Sequence, residues 1–160
     1  MRDTAEKTNV MRILDKSGIP YKTHFYSSDG ALPGTEVAKQ IGADPDRVFK
    51  TLVTRGRSGN HYVFVIPVGR ELDLKKAAAA VKEKDAEMIP QKELFPLTGY
   101  VHGGCSPIGM KKRFRTVADQ SAEHLDTVIF SAGKIGAQVE ITPSDLKKAT
   151  GCSLSNICRD

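Results

Sequence analysis

The chain has 160 residues, 27% of them charged and 39% hydrophobic, with a formal net charge of +5 and a pI near 9.1. That length supports one domain with a real core, and no apolar run approaches the ~20 residues of a membrane span. Residues 1–9 are polar and lack the apolar segment of a signal peptide, and Cys105, Cys152 and Cys158 are an odd set without C-x-x-C spacing; a disulfide framework and a structural zinc site are therefore not expected, and a reduced cytoplasmic protein is.

In chain order, residues 4–17 read as a helix with Val10, Ile13 and Leu14 on one side, stopped by Gly18 and Pro20. Residues 21–26 alternate as a strand, 27–34 are turn-rich, and 35–41 carry Val37, Ala38 and Ile41 at helical spacing before Gly42. The stretch 48–54, VFKTLVT, is β-branched with one lysine in its middle. Gly56, Ser58 and Gly59 form a hairpin signal, and 61–68 is the return strand, antiparallel to the first.

Asp73 can cap a helix running to about residue 84, 86–89 is a short strand, and 91–95 is a helical turn held between Pro90 and Pro96. Further strands are expected at 100–102, 116–118, 127–131 and 138–141. Thr142, Pro143 and Asp145 then open a helix that Gly151 ends. Strands and helices mix without strict alternation, so the fold class is α+β, one domain over residues 1–160, with a curved, mostly antiparallel or mixed sheet.

Lys50 is the residue with the most chemical promise. Alternation puts Val48, Lys50 and Leu52 on one face and Phe49, Thr51 and Val53 on the other, so apolar neighbours flank the lysine on both sides. Desolvation disfavours the charged ammonium, which is how a lysine becomes a base or a tunable hydrogen-bond donor. An edge-strand lysine that blocks aggregation has the same local sequence.

Three glycine-bearing segments accompany it: Gly103-Gly104, Ser131-Ala132-Gly133, and Gly109 before a basic run. Each permits close backbone approach or simply a turn, and none matches a phosphate loop. Ser106 and Ser131 lack the frame of a nucleophile elbow, and the four histidines are scattered. Cys105 lies near the basic run, which could favour its thiolate, although free cysteine more often packs as a small hydrophobe. Lys111, Lys112, Arg113 and Arg115 surround Phe114 and could neutralise phosphates, or form a solvated face.

Together, Phe49-Lys50-Thr51-Leu52, the segment from Gly103 to Lys112 (GGCSPIGMKK) and Ser131-Ala132-Gly133 resemble the YbaK/EbsC family, free-standing relatives of the editing domain of bacterial prolyl-tRNA synthetases. The resemblance runs from Asn9 to the region of Gly151. It implies a strongly curved mixed sheet approaching a barrel, with helices packed outside. It implies trans-acting deacylation of mischarged tRNA, chiefly Cys-tRNA(Pro), in which the substrate's own thiol attacks its carbonyl. It carries Lys50 onto the family's essential lysine and assigns Tyr26, Thr51, Gly103, Ser131 and Gly133 to substrate binding. No metal or other cofactor is implied. The partners implied are the acceptor end of an aminoacyl-tRNA, which the basic run would help hold, and a prolyl-tRNA synthetase as a candidate working partner. Where close relatives carry an aromatic before the glycine that opens the second helix, this chain has Pro33. Deacylation of another small aminoacyl ester, such as Ala-tRNA(Pro), and a non-catalytic tRNA- or nucleotide-binding regulator are the alternative readings.

Overall fold

A computed structural model describes residues 7–160. The strands are β1 (Lys22–Phe25), β2 (Phe49–Gly56), β3 (His61–Pro67), β4 (Ala86–Met88), β5 (Arg115–Asp119), β6 (Val128–Lys134), β7 (Ala137–Ile141) and β8 (Ser153–Ser155). The helices are α1 (Asn9–Lys16), α2 (Gly34–Ile41), α3 (Leu74–Ala80), α4 (Gln91–Thr98) and α5 (Pro143–Thr150). The mixed α+β class holds. The strands fall into two sheets, ordered β1-β7-β6 and β4-β2-β3-β5-β8, not closed as a barrel. They meet at an isolated parallel bridge between Val48 and Ile129, where the Ile129 N–H donates to the Arg47 carbonyl at 2.9 Å.

Most local elements follow their sequence signals. β2 and β3 pair antiparallel with Lys50 opposite Ile66. Gly42 and Gly151 end α2 and α5 in the left-handed region, and the Thr142 side chain caps Asp145. Four expectations need correction. α1 begins at Asn9, where Thr8 accepts from the Met11 N–H; residues 4–6 of the expected helix lie outside the described residues. α3 stops at Ala80, because Val81 and Lys82 leave helical geometry, Lys82 with φ of 60°. α4 runs through Pro96 to Thr98, with the Gly99 N–H and the Thr98 hydroxyl bonding to the Phe95 and Leu94 carbonyls around the proline. Residues 100–102 are not a strand: the Tyr100 hydroxyl donates to the Ile108 carbonyl and the Gly104 N–H to the Val101 carbonyl, closing a loop. The 3₁₀ turn Gln120–His124 and β8 were not anticipated.

The core forms between the sheets. Val10, Met11 and Leu14 of α1 pack with Phe49, Val53, Val63 and Val65 of the larger sheet and Phe130, Val139 and Ile141 of the smaller one. Burying each such side chain stabilises by about 1.5–3 kcal/mol. The other face of the larger sheet, with Phe64, Ile66 and Val117, is covered by Ala77 and Val81 around α3 and by Ile157. A smaller cluster of Ala38, Val48, Val68 and Ile129 fixes α2 over the bridge. Beside it, the Glu140 carboxylate takes bonds from Arg47 (3.1 Å) and Thr127 and faces His24 Nε2 at 2.7 Å, tying both sheets together. Burial acts to raise the Glu140 pKa, but these bonds and the nearby positive charge hold it below the ordinary carboxylate value. Among the described residues no helix is long and apolar enough to cross a membrane.

Candidate active site

β4 pairs only with Thr54–Gly56 of β2, so the first half of β2 is unpartnered on that edge. Beyond the isolated Val48–Ile129 bridge β2 and β6 do not pair, and a cavity of about 210 Å³ is lined from both strands. Consecutive residues from Val48 to Leu52 line it although they alternate in facing, so the cavity meets β2 at its edge. At roughly 30 Å³ per water, that is space for about seven waters, a volume suited to a small group rather than a large cofactor.

Lys50, Thr51, Tyr26, Gly103 and Ser131, drawn from β2, the segment after β1, the loop after α4, and β6, all line this one cavity. Leu32, Pro33 and Gly34 close one side from the entry to α2, and Leu94, His102 and Cys105 close another. Lys50 is half-buried, and among the described residues no aspartate or glutamate lines the cavity. The Thr51 hydroxyl oxygen is enclosed without a hydrogen-bond partner.

Two glycines fix the walls. Gly103 has φ of +90°, and a Cβ there would sit 2.7 Å from the Ala31 Cβ, so a side chain is excluded by conformation and by space. A Cβ on Gly34 would sit 2.4 Å from Val68 Cγ1, which is how closely α2 approaches the end of β3.

The remaining candidates lie elsewhere. Gly133 is not part of the cavity wall. Its φ of +100° turns it beneath Tyr100 and Val10, and its N–H donates to Ser131 Oγ at 3.1 Å, orienting the hydroxyl that does line the cavity. Lys111, Lys112, Arg113 and Arg115 are all exposed, and none lines the Lys50 cavity. Lys112 and Arg113 border a second hollow of about 240 Å³ with Ile13, Met110 and Ala149. Lys111 lies over the Phe95 ring at 5.4 Å, and Arg115 reaches the Ala80 carbonyl at 3.4 Å. Phe114 packs on the core and edge-on to His61, ring centres 5.8 Å apart, and is not free to stack.

Of the three nucleophiles considered from the sequence, Cys105 and Ser106 are not activated. Burial pushes the Cys105 thiol up to about 12, against the thiolate-favouring effect expected of the basic run. Ser106 is fully buried, its Oγ accepting from the Ile108 N–H within its own loop at 3.3 Å. Sequence reasoning also missed a wall residue, Gln138 of β7. Its only signal was a polar residue alternating with Ala137, Val139 and Ile141.

With this geometry in view, the comparisons with known proteins are consistent. Residues 33–149 match the model of the aminoacyl-tRNA editing domain. A protein of Enterococcus faecalis, named as a candidate Cys-tRNA(Pro)/Cys-tRNA(Cys) deacylase, EbsC, is 42% identical over 157 residues, covering 98% of this chain and 96% of that one. The proline–tRNA ligase of Thermosipho melanesiensis is 28% identical over 100 residues, 62% of this chain but 17% of the ligase. The fold matches that of a crystal structure described as a candidate trans-editing enzyme for prolyl tRNA synthetase, with a TM-score of 0.83 at 24% identity, over 97% of this chain and all of the other. The chain therefore belongs to the aminoacyl-tRNA editing domain family.

Proposed function

We propose that this protein is a trans-acting aminoacyl-tRNA deacylase that clears Cys-tRNA(Pro) in the cytoplasm, alongside a prolyl-tRNA synthetase whose product it corrects. The observation that carries the reading is the cavity that gathers Lys50, Thr51, Tyr26, Gly103 and Ser131 around one lysine, with no lining carboxylate among the described residues. The name of the Enterococcus faecalis relative supports the choice of substrate.

An aminoacyl ester is already activated, so the protein's task is to hold it and stabilise charge that builds on oxygen. The chemistry needs no protein nucleophile, which agrees with the protonated Cys105 and the inward-turned Ser106. In the proposed step the cysteinyl thiol of the substrate attacks its own carbonyl carbon. The carbon–sulfur bond forms, the ester bond to the ribose oxygen breaks, and the thiol proton passes to that oxygen. The tRNA leaves with a free hydroxyl, and water later opens the cyclic thioester. Lys50 stabilises the developing oxyanion or holds the terminal phosphate, while the backbone around Gly103 and the Ser131 hydroxyl orient the aminoacyl group. The small volume between β2 and β6 excludes bulky side chains.

The test is deacylation of Cys-tRNA(Pro), Ala-tRNA(Pro) and Pro-tRNA(Pro) by the wild type and by Lys50→Ala. Turnover of the cysteinyl ester alone, lost in the variant, is the expected result. Preference for the alanyl ester would reject the substrate assignment and the thiol step. Binding without turnover of any ester would make the protein a non-catalytic tRNA-binding module.

A further inference from the structure

The cavity contains a second polar centre, contributed by the smaller sheet, whereas Lys50 comes from the larger one. Gln138 is 6% exposed, lines the cavity, and its side-chain carbonyl oxygen is enclosed without a hydrogen-bond partner. Thr51 Oγ1 lines the same cavity in the same condition. Buried polar atoms without partners are few in folded proteins, and a ligand donor is one reason for them to persist.

The polar neighbours of Gln138 on its sheet do not pair with its side-chain oxygen. Gln138 lies on the central strand of β1-β7-β6, directly opposite His24 on one side and Ser131 on the other, so the three share a face. The His24 ring is taken up by Glu140 at 2.7 Å, and Ser131 Oγ accepts from the Gly133 N–H. Alternation turns Ala137 and Val139 into the core and leaves Gln138 facing the cavity.

On the reading that the cavity receives an aminoacyl ester, the substrate group with several donors is the α-amino group. Lys50 repels a second cation, so that group belongs with uncharged acceptors turned away from the lysine: Gln138 on the other sheet, and Thr51, which alternation turns to the other face of β2 from Lys50. A carboxylate in place of Gln138 would instead neutralise Lys50 within a shared cavity. We propose that Gln138, with Thr51 Oγ1, accepts hydrogen bonds from the α-amino group of the aminoacyl moiety and so selects substrates with a free amine. Gln138 is a specificity-determining residue, and its amide is matched to a cavity whose cation must stay unpaired.

The experiment compares two esters of the same tRNA, cysteinyl and 3-mercaptopropionyl, which keeps the thiol and lacks the amine. The wild type should favour the cysteinyl ester by about ten- to a hundredfold in kcat/KM, because a site built for a polar group rejects the analogue without it. Gln138→Leu should lower kcat/KM for the cysteinyl ester about tenfold and change the other less than twofold, collapsing the preference. Thr51→Val, nearly isosteric, should act in the same direction, which covers the case of a Gln138→Leu protein that does not fold. Equal losses on both esters, or a wild type that does not discriminate, would overturn the role of Gln138 while leaving the deacylase reading intact. No turnover of either ester by the wild type would overturn both.

Discussion

Lys50 and Ser131 occupy matching positions: each lies two residues beyond the parallel bridge that joins Val48 to Ile129. The bridge brings β2 and β6 together, and the end of pairing beyond it leaves the two side chains lining one cavity. The candidate site is thus a consequence of where two sheets stop pairing.

The lysine at this gap should be needed for turnover and not for stability. It is half-buried and no hydrogen bond or ion pair to it is formed among the described residues, so Lys50→Ala should leave the thermal midpoint within a few degrees of wild type. Its kcat/KM on Cys-tRNA(Pro) should fall about 10²-fold or more, the usual cost of removing one charge-stabilising donor. A variant that keeps its rate would remove Lys50 from the mechanism.

Gly34 and Val68 form a pair that can be tested by a double-mutant cycle. A Cβ at position 34 would collide with Val68 Cγ1, so Gly34→Ala should destabilise by about 1–3 kcal/mol in urea unfolding. Adding Val68→Ala frees that space, and the double variant should be more stable than the sum of the single costs predicts. Additive costs would mean that the two residues do not touch in solution.

Cys105 provides a negative control on the chemistry. Because burial holds its thiol up to about 12, Cys105→Ala should retain deacylation within about threefold. Alkylation of Cys105 by iodoacetamide should stay slow through pH 9, since the thiolate is the reactive form. Fast labelling near neutral pH, or loss of turnover, would reopen the question of a protein nucleophile.

Acid should loosen the end of β5. Asp119 is 2% exposed; burial acts to raise its pKa, but bonds from the Ser121 and Ile157 N–H groups outweigh it and leave the carboxyl below its ordinary value. A carboxyl lowered by folding stabilises above its unfolded pKa of about 3.9, and that contribution is lost as pH falls through the lower folded value. Asp119→Asn should therefore be less stable than wild type at pH 7, with the difference shrinking below pH 4 in denaturant titrations. A difference that stays constant with pH would contradict this account.

The hairpin of β2 and β3 and the start of α5 were legible because their signals are local: two glycines in a turn, and a threonine, proline and aspartate in register. The division into two sheets was not, since Lys22 pairs with Glu140 across most of the chain and nothing near either residue records it. Residues 100–102 alternate like a strand, yet the Tyr100 hydroxyl and the conformation of Gly103 commit them to a loop. Among the residues lining the cavity, Lys50, Thr51, Gly103 and Ser131 stood out in the sequence through their motifs. Gln138 was hidden because one amide on a strand reads as a solvent-facing residue until its neighbours are known. Gly133 lies off the cavity wall, and its conformation serves the Ser131 hydroxyl and the packing of Tyr100.

The end of pairing between β2 and β6 has a practical bearing on engineering. The calibre of the chamber is set by main chain anchored at Val48 and Ile129, so trimming any one wall residue should enlarge it little. Admitting a bulkier acyl group would call for moving the anchorage itself, whereas the polar residues lining the cavity are the place to alter which functional groups it accepts.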